Sequence, residues 1–179
     1  MTILADLNQG RPWWRERVPG LKTAISMQKS SVDLVDVFEA LGQPQLTGLK
    51  LYQRRAFFLD RAEMLAAQQR LLAYFETNQY SHVLFATMDI CLDFLDKDFL
   101  ITLREKEILV GGILGDDEFN YSNFRSIVCF FDFLVVYLEK AARFYEKYSD
   151  TEIFVQNNCY SSGTTLPLKP FLNKSVDLT

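Results

Sequence analysis

Residues 49–77, LKLYQRRAFFLDRAEMLAAQQRLLAYFET, form the longest stretch of the chain with helical periodicity, and they decide the predicted fold. The stretch contains no Gly or Pro and many strong helix formers. On a helix its apolar side chains form two stripes about 100° apart, with a narrow polar lane of Arg54, Arg61 and Gln68 between them. Two apolar stripes need two packed neighbours, so this helix predicts a bundle. The stripes consist of Phe58, Leu65 and Leu72, and of Phe57, Met64, Leu71 and Phe75.

Further helices are predicted on both sides of this one. A short helix is expected over residues 31–41, and a helix with a very wide apolar face over residues 82–96. A third is expected over residues 98–110. The last, over residues 123–148, is apolar on all sides except one polar lane, which makes it the predicted central element of the bundle.

Residues 104–115 are open to two interpretations. We favour helix, because apolar side chains continue at helical spacing from the preceding segment. The glycines at 111, 112 and 115 weaken that helix, and the run ILVGGIL would also suit a short strand.

The predicted fold class is therefore all-α, a bundle of about five helices. We expect the helical bundle domain to span residues 31–150. Residues 1–30 read as a basic, irregular N-terminal arm, and residues 151–179, which lose all periodicity, as an irregular C-terminal tail.

Composition limits the classes of protein to which the chain can belong. With 179 residues, 49% of them hydrophobic, it is long enough for one globular domain. The net charge of −4 predicts no bulk attraction to nucleic acid or anionic lipid. The first ten residues lack the basic head and the long apolar run that are typical of a signal peptide, the apolar runs are too short for a membrane span, and the three cysteines are far apart in sequence. We expect a cytoplasmic protein with reduced thiols.

Catalytic and cofactor motifs are missing from the sequence. There is no P-loop, no G-x-G-x-x-G, no G-x-S-x-G and no C-x-x-C. His82 is the single histidine, which excludes any mechanism that needs two histidines from one chain. A calcium loop that started at Asp96 would place Ile101 where glycine is required. We therefore predict no metal and no cofactor, and we favour a protein that is not an enzyme.

The arm carries the residue types that dominate protein interfaces. Tryptophans flanked by arginines offer a large contact area and charge-assisted hydrogen bonds. The first prediction is therefore an interaction or regulatory module, a subunit of a larger complex that binds another protein or a second copy of itself. The arm's net charge of 5 − 2 = +3 is too small to predict duplex DNA binding. Alternatively, both Trp rings fold back and cover the bundle. The predicted partner-binding residues are Arg11, Trp13, Trp14, Arg15 and Arg17.

A second prediction is a helical enzyme or small-ligand binder with a pocket between helices. Such a pocket would use Asp132, or Asp89 with Asp93, together with Arg54 or Arg61. The competing interpretation is that these carboxylates are solvated or ion-paired for structural reasons, with Arg70 near Asp89, and Arg61 near Asp96 and Asp98.

Overall fold

The computed structural model describes residues 1–7, 31–86, 91, 93–114 and 124–155. Within these residues lies one six-stranded sheet. Its strands are β1 Thr2–Ala5, β2 Asp33–Asp36, β3 His82–Phe85, β4 Leu109–Ile113, β5 Phe133–Val136 and β6 Glu152–Val155.

Every neighbouring pair of strands is parallel. The order across the sheet is β2-β1-β3-β4-β5-β6. Leu4 of β1 is opposite Val35 of β2 on one side and Phe85 of β3 on the other, so β1 is a central strand. This order is that of doubly wound α/β folds, with one extra strand at the far edge.

The sheet shows that the predicted all-α fold class, a helical bundle, is wrong. Strands in parallel sheets are covered on both faces, so they read as continuous apolar runs instead of alternating with polar residues. Runs such as HVLF and FLVV are also short enough to fit a buried helix, and periodicity alone does not separate the two structures.

In the part of the chain that the structure describes, helices lie between β2 and β3, between β3 and β4, and between β5 and β6. They are α1 Val37–Ala40, α2 Leu51–Phe58, α3 Arg61–Thr77, α4 Lys97–Glu105 and α5 Glu139–Tyr145, with 3₁₀ turns at Pro44–Leu46 and Val128–Phe130. The segments predicted as helices over residues 31–41, 82–96 and 123–148 thus contain β2 with α1, β3, and β5 with α5. Residues 104–115, for which helix was favoured over strand, contain β4, so strand was the correct alternative at the centre of this segment.

The helix predicted over residues 49–77 is broken in the middle. Asp60 has an extended backbone, with ψ of 111°, and its side chain accepts hydrogen bonds from the N–H groups of Ala62 and Glu63. It therefore caps a new helix, α3, and separates it from α2. The predicted stripes also divide: Leu71 and Phe75 are buried, whereas Leu65 is exposed.

The helices pack against one face of the sheet. Their buried side chains, among them Phe38, Phe75 and Leu103, form a single cluster with Leu4, Phe85 and other strand residues that point to the same face. This placement follows from topology, because the connections from β2 through to β6 all advance in one direction, and right-handed crossovers put them on one side. Residues that point to the opposite face of the sheet form a second buried cluster: Ile3, Ala5, Val32, Leu84, Ala86, Ile113 and Val135.

Position 111 must be glycine because Phe133, its neighbour on that second face, leaves no room for a side chain. It lies opposite Phe133 in the β4–β5 pair. A Cβ atom added at Gly111 would be 2.1 Å from Cζ of the Phe133 ring. The ring therefore occupies the space of the missing side chain, and it also contacts Phe154 edge to face.

The two terminal segments contribute to the sheet, which corrects their description as wholly irregular. β1 lies within residues 1–30, and β6 within residues 151–179. In the ranges that the structure describes, every helix is too short or too polar to cross a membrane. The division into arm, domain and tail stays a prediction.

Candidate functional site

The strand order creates a junction between β1 and β3. These strands are neighbours, joined at their carboxyl ends by a 2.8 Å hydrogen bond from Ala86 N to Leu4 O. The chain nevertheless leads from β1 to β2 and from β3 to β4, on opposite sides of this pair. In open parallel sheets, ligands bind beyond the carboxyl ends of the strands at such a point, because the departing connections leave a crevice between them.

A buried ion pair lies at this junction. Asp6 directly follows β1, and Nη1 of Arg54, in α2, donates to its Oδ2 at 2.5 Å. The exposed fractions of the two side chains are only 1% and 6%. The Arg54 guanidinium also lies over the ring of Phe38, 5.3 Å from the ring centre, so an aromatic face and a carboxylate together hold it in place.

Asp36 connects the carboxyl ends of β1 and β2. Its Oδ2 accepts from Leu7 N at 3.1 Å, and its Oδ1 accepts from Phe38 N at 2.9 Å and from Glu39 N at 3.4 Å. One buried carboxylate thus caps α1 and fixes the residue that follows Asp6. The backbone is therefore held on both sides of Asp6, by β1 before it and by the contact of Leu7 with Asp36 after it.

The segment after β3 is held by α2 and α3. Arg55 Nε donates to Asp93 Oδ1 at 3.0 Å, and Gln68 Nε2 donates to the carbonyl oxygen of Phe94 at 2.7 Å. Arg54 and Arg55 are adjacent in α2, yet they bind carboxylates that follow two different strands. Helix α2 therefore bridges the two sides of the β1/β3 junction.

This arrangement costs folding free energy. Removing a guanidinium and a carboxylate from water costs several kcal/mol per ion, and their attraction offsets that cost only with good geometry. Buried charges at the end of a strand can instead orient donors and acceptors toward a ligand, because their positions are fixed before the ligand arrives.

The structure separates the residues of the predicted inter-helix pocket. Arg54 and Asp93 lie at the carboxyl edge, where α2 holds both segments. Arg61 is exposed at the start of α3. Asp132 precedes β5 and so lies at the opposite, amino edge of the sheet. Asp89 is outside the described residues.

Asp132 has structural partners. Its Oδ2 accepts from the buried N–H of Val110 at 2.7 Å, and its Oδ1 lies 3.9 Å from Arg104. It thereby joins the starts of β4 and β5. Tyr80, just before β3, binds the start of β2 in a similar way, because its hydroxyl donates to Asp33 at 2.6 Å. Burial, and after it this hydrogen bond, raise the pKa of Tyr80 well above its ordinary value.

The residues of the predicted partner-binding arm, positions 11, 13, 14, 15 and 17, lie outside the described residues, and their role stays a prediction. Three residues of the carboxyl edge, Asp6, Asp36 and Arg55, were not predicted as site residues. A signal for the aspartates exists: TILAD and DLVD are short apolar runs that end in Asp, which is where a strand that leads into a site ends.

The outer side of α5 carries a separate depression of about 420 Å³. Its described lining, Glu139, Lys140, Arg143, Phe144 and Lys147, comes from this helix and the turn after it. No group of three or more metal-ligating side chains occurs among the described residues.

Comparisons with known proteins do not assign the chain to a family. No protein-family model, no curated protein and no solved structure matches it. The geometry of the carboxyl edge is therefore the basis on which a function can be argued.

Proposed function

We propose that the chain is a small-molecule-binding α/β domain whose ligand binds at the carboxyl edge of the sheet, between β1 and β3. The observation that carries this proposal is the position of the Asp6–Arg54 ion pair. It is buried at the one place where the order of the described strands reverses direction.

The neighbouring contacts support the same position. Arg55 and Asp93 form a second ion pair across the junction, and Asp36 anchors the backbone beside Asp6. Three elements, α2 and the ends of β1 and β2, thus hold polar groups in fixed positions. A binding site is most selective when its polar groups are held in this way by packed structure.

The experiment is a screen of a panel of small metabolites by ¹H–¹⁵N NMR. We expect a binding compound to shift the backbone signals of Leu7, Ala86 and Asp93 at the carboxyl edge. The signals of Ser81 and Asp132 at the amino edge should stay unchanged, because the two ends of a strand of four residues are about 10 Å apart.

A matched pair of variants separates binding from stability. Arg55→Gln and Arg104→Gln each remove the charge of an arginine that is about half exposed and keep a hydrogen-bond donor, so we expect both variants to fold. Only Arg55→Gln should lower the affinity for the compound. The proposal fails if compounds shift only amino-edge signals, or if both variants weaken binding equally.

A further inference from the structure

The Arg54 guanidinium has a donor whose acceptor is missing from the described structure. Nη1 donates to Asp6, whereas Nε is buried and has no hydrogen-bond partner among the residues that the structure describes. The side chain as a whole is only 6% exposed. Because a buried N–H of a charged group that lacks an acceptor destabilises the protein, such a group indicates a site completed by something else.

The surroundings restrict where an acceptor can lie. Asp6 binds Nη1, and in a planar guanidinium Nε lies on a different edge of the group from that contact. Cζ of the guanidinium lies over the ring of Phe38, which restricts access to the group from that side. Gln53 and Arg55, on either side of Arg54, are exposed, so the Arg54 side chain runs inward from a helix at the surface. An acceptor must therefore approach Nε within the plane of the guanidinium.

The charge of the guanidinium itself favours an anionic acceptor at Nε. Around it, the positive charges of Lys50, Arg54 and Arg55 are matched by the negative charges of Asp6, Asp36 and Asp93, so the preference for an anion rests on the Nε–H donor and not on a surplus of charge. Hydrogen bonds from arginine to an anionic oxygen are roughly twice as strong as those between neutral groups.

We propose that the ligand of the carboxyl edge carries an oxyanion, a carboxylate or phosphate group, that accepts a hydrogen bond from Nε of Arg54. Asp6 is then a positioning residue, because it holds the guanidinium through Nη1 and leaves Nε for the ligand. This inference rests on the proposed function and adds the chemical class of the ligand.

The test observes the donor directly. In ¹⁵N-labelled protein the Nε–H signal of Arg54 can be assigned by through-bond correlation to its own backbone. The protein is titrated at constant ionic strength with inorganic phosphate, with acetate and with acetamide, the neutral counterpart of acetate. We expect acetate or phosphate to shift the Arg54 Nε–H signal and acetamide to leave it unchanged. The anion that binds with the higher affinity shows whether the ligand contributes a carboxylate or a phosphate group.

A substitution gives the second measurement. Arg54→Lys keeps the positive charge beside Asp6 but removes Nε, so the affinity for the anion should fall at least about tenfold. Arg104→Lys, at the amino edge, should leave that affinity unchanged. If Arg54→Lys does not fold, the titration of the unaltered protein decides alone.

Several results would overturn the inference. They are an equal shift by acetamide and acetate, an anion response confined to Lys140 and Arg143 on α5 and Lys147 in the turn after it, and no shift with any of the three probes. If a neutral metabolite still shifts Leu7 and Ala86, the proposed binding function stands and only the oxyanion is excluded. If no compound of the panel affects the carboxyl edge, the proposed function fails as well.

Discussion

At the carboxyl edge of the sheet, the side chains of Arg54 and Asp6 are 6% and 1% exposed, whereas at the amino edge those of Arg104 and Asp132 are 52% and 29% exposed. Both edges therefore carry an Arg–Asp pair, but only one pair is removed from water. An exposed pair adds little to stability and is screened by salt. A buried pair is often no better for stability than apolar residues of the same size. The two pairs therefore differ in burial, and only the buried pair carries a large desolvation cost.

The largest expected effect comes from breaking the buried pair. Arg54→Met removes the guanidinium that binds the buried Asp6 carboxylate, and should lower the free energy of unfolding by about 3–5 kcal/mol. Urea unfolding followed by circular dichroism measures this change.

Two controls complete that experiment. Arg104→Met at the amino edge should cost less than about 1 kcal/mol. The double variant Arg54→Met, Asp6→Leu should recover most of the stability, because it removes both buried charges. If Arg54→Met and Arg104→Met cost the same, the two pairs do not differ as their burial indicates.

The next effect concerns the carboxylate that anchors the carboxyl edge. Asp36→Ala removes the acceptor for Leu7 N and the cap of α1, and should cost about 2 kcal/mol. Asp36→Asn keeps one oxygen and should cost less. Thermal unfolding of the two variants measures both values, and an Ala variant as stable as the unaltered protein would exclude the anchoring role.

A smaller effect at the amino edge depends on pH. The pKa of Tyr80 is raised in the folded protein, so folded Tyr80 keeps its proton at a pH at which the unfolded chain has begun to lose it. This contribution to stability is fully present below the ordinary tyrosine pKa of 10.0 and is lost as the pH rises above it. The free energy of unfolding should therefore fall between about pH 9 and pH 11.

Tyr80→Phe isolates that contribution. The variant lacks the hydroxyl that donates to Asp33, so its stability should fall less steeply over the same pH range. Other titrating groups cancel in the difference between the two proteins. Parallel curves for the two proteins would show that Tyr80 makes no pH-dependent contribution.

The smallest effect is expected at Asp132. Asp132→Asn keeps an oxygen for Val110 N and loses only an exposed 3.9 Å ion pair, so stability should change by no more than about 0.5 kcal/mol. Asp132→Ala, which removes the acceptor of a buried N–H, should cost about 1 kcal/mol or more. A large change in the Asn variant would indicate that the charge itself matters.

Local patterns predicted the helices better than the sheet. Much of α3 and α4 lies where helical spacing predicts, because each turn of a helix is made from contacts within a few residues. The strands pair with partners that are tens of residues away, such as Leu4 with Phe85, and no periodicity in either strand records that pairing. A four-residue strand buried on both faces gives almost no signal of its own.

The candidate site was predicted only in part, for the same reason. Arg54 and Asp93 were in the predicted pocket because an Arg lane and an Asp lane stand out on helical wheels. Arg54 was expected in a narrow polar lane between two apolar stripes, and the structure shows that it is buried. Asp6 was grouped with the basic arm, since its role depends on β1 lying beside β3, and that neighbour relation is a property of the folded chain.

Asp60 has a consequence for how the site could change. Because the chain is extended at this residue, α2 and α3 do not form one continuous rod, and each has its own rotational phase. Inside one continuous helix, an added residue would turn everything beyond it by about 100° and carry Arg54 away from Asp6. At the extended link of Leu59 and Asp60, an added residue can be taken up without that rotation, so the orientation of α2 does not depend on that of α3.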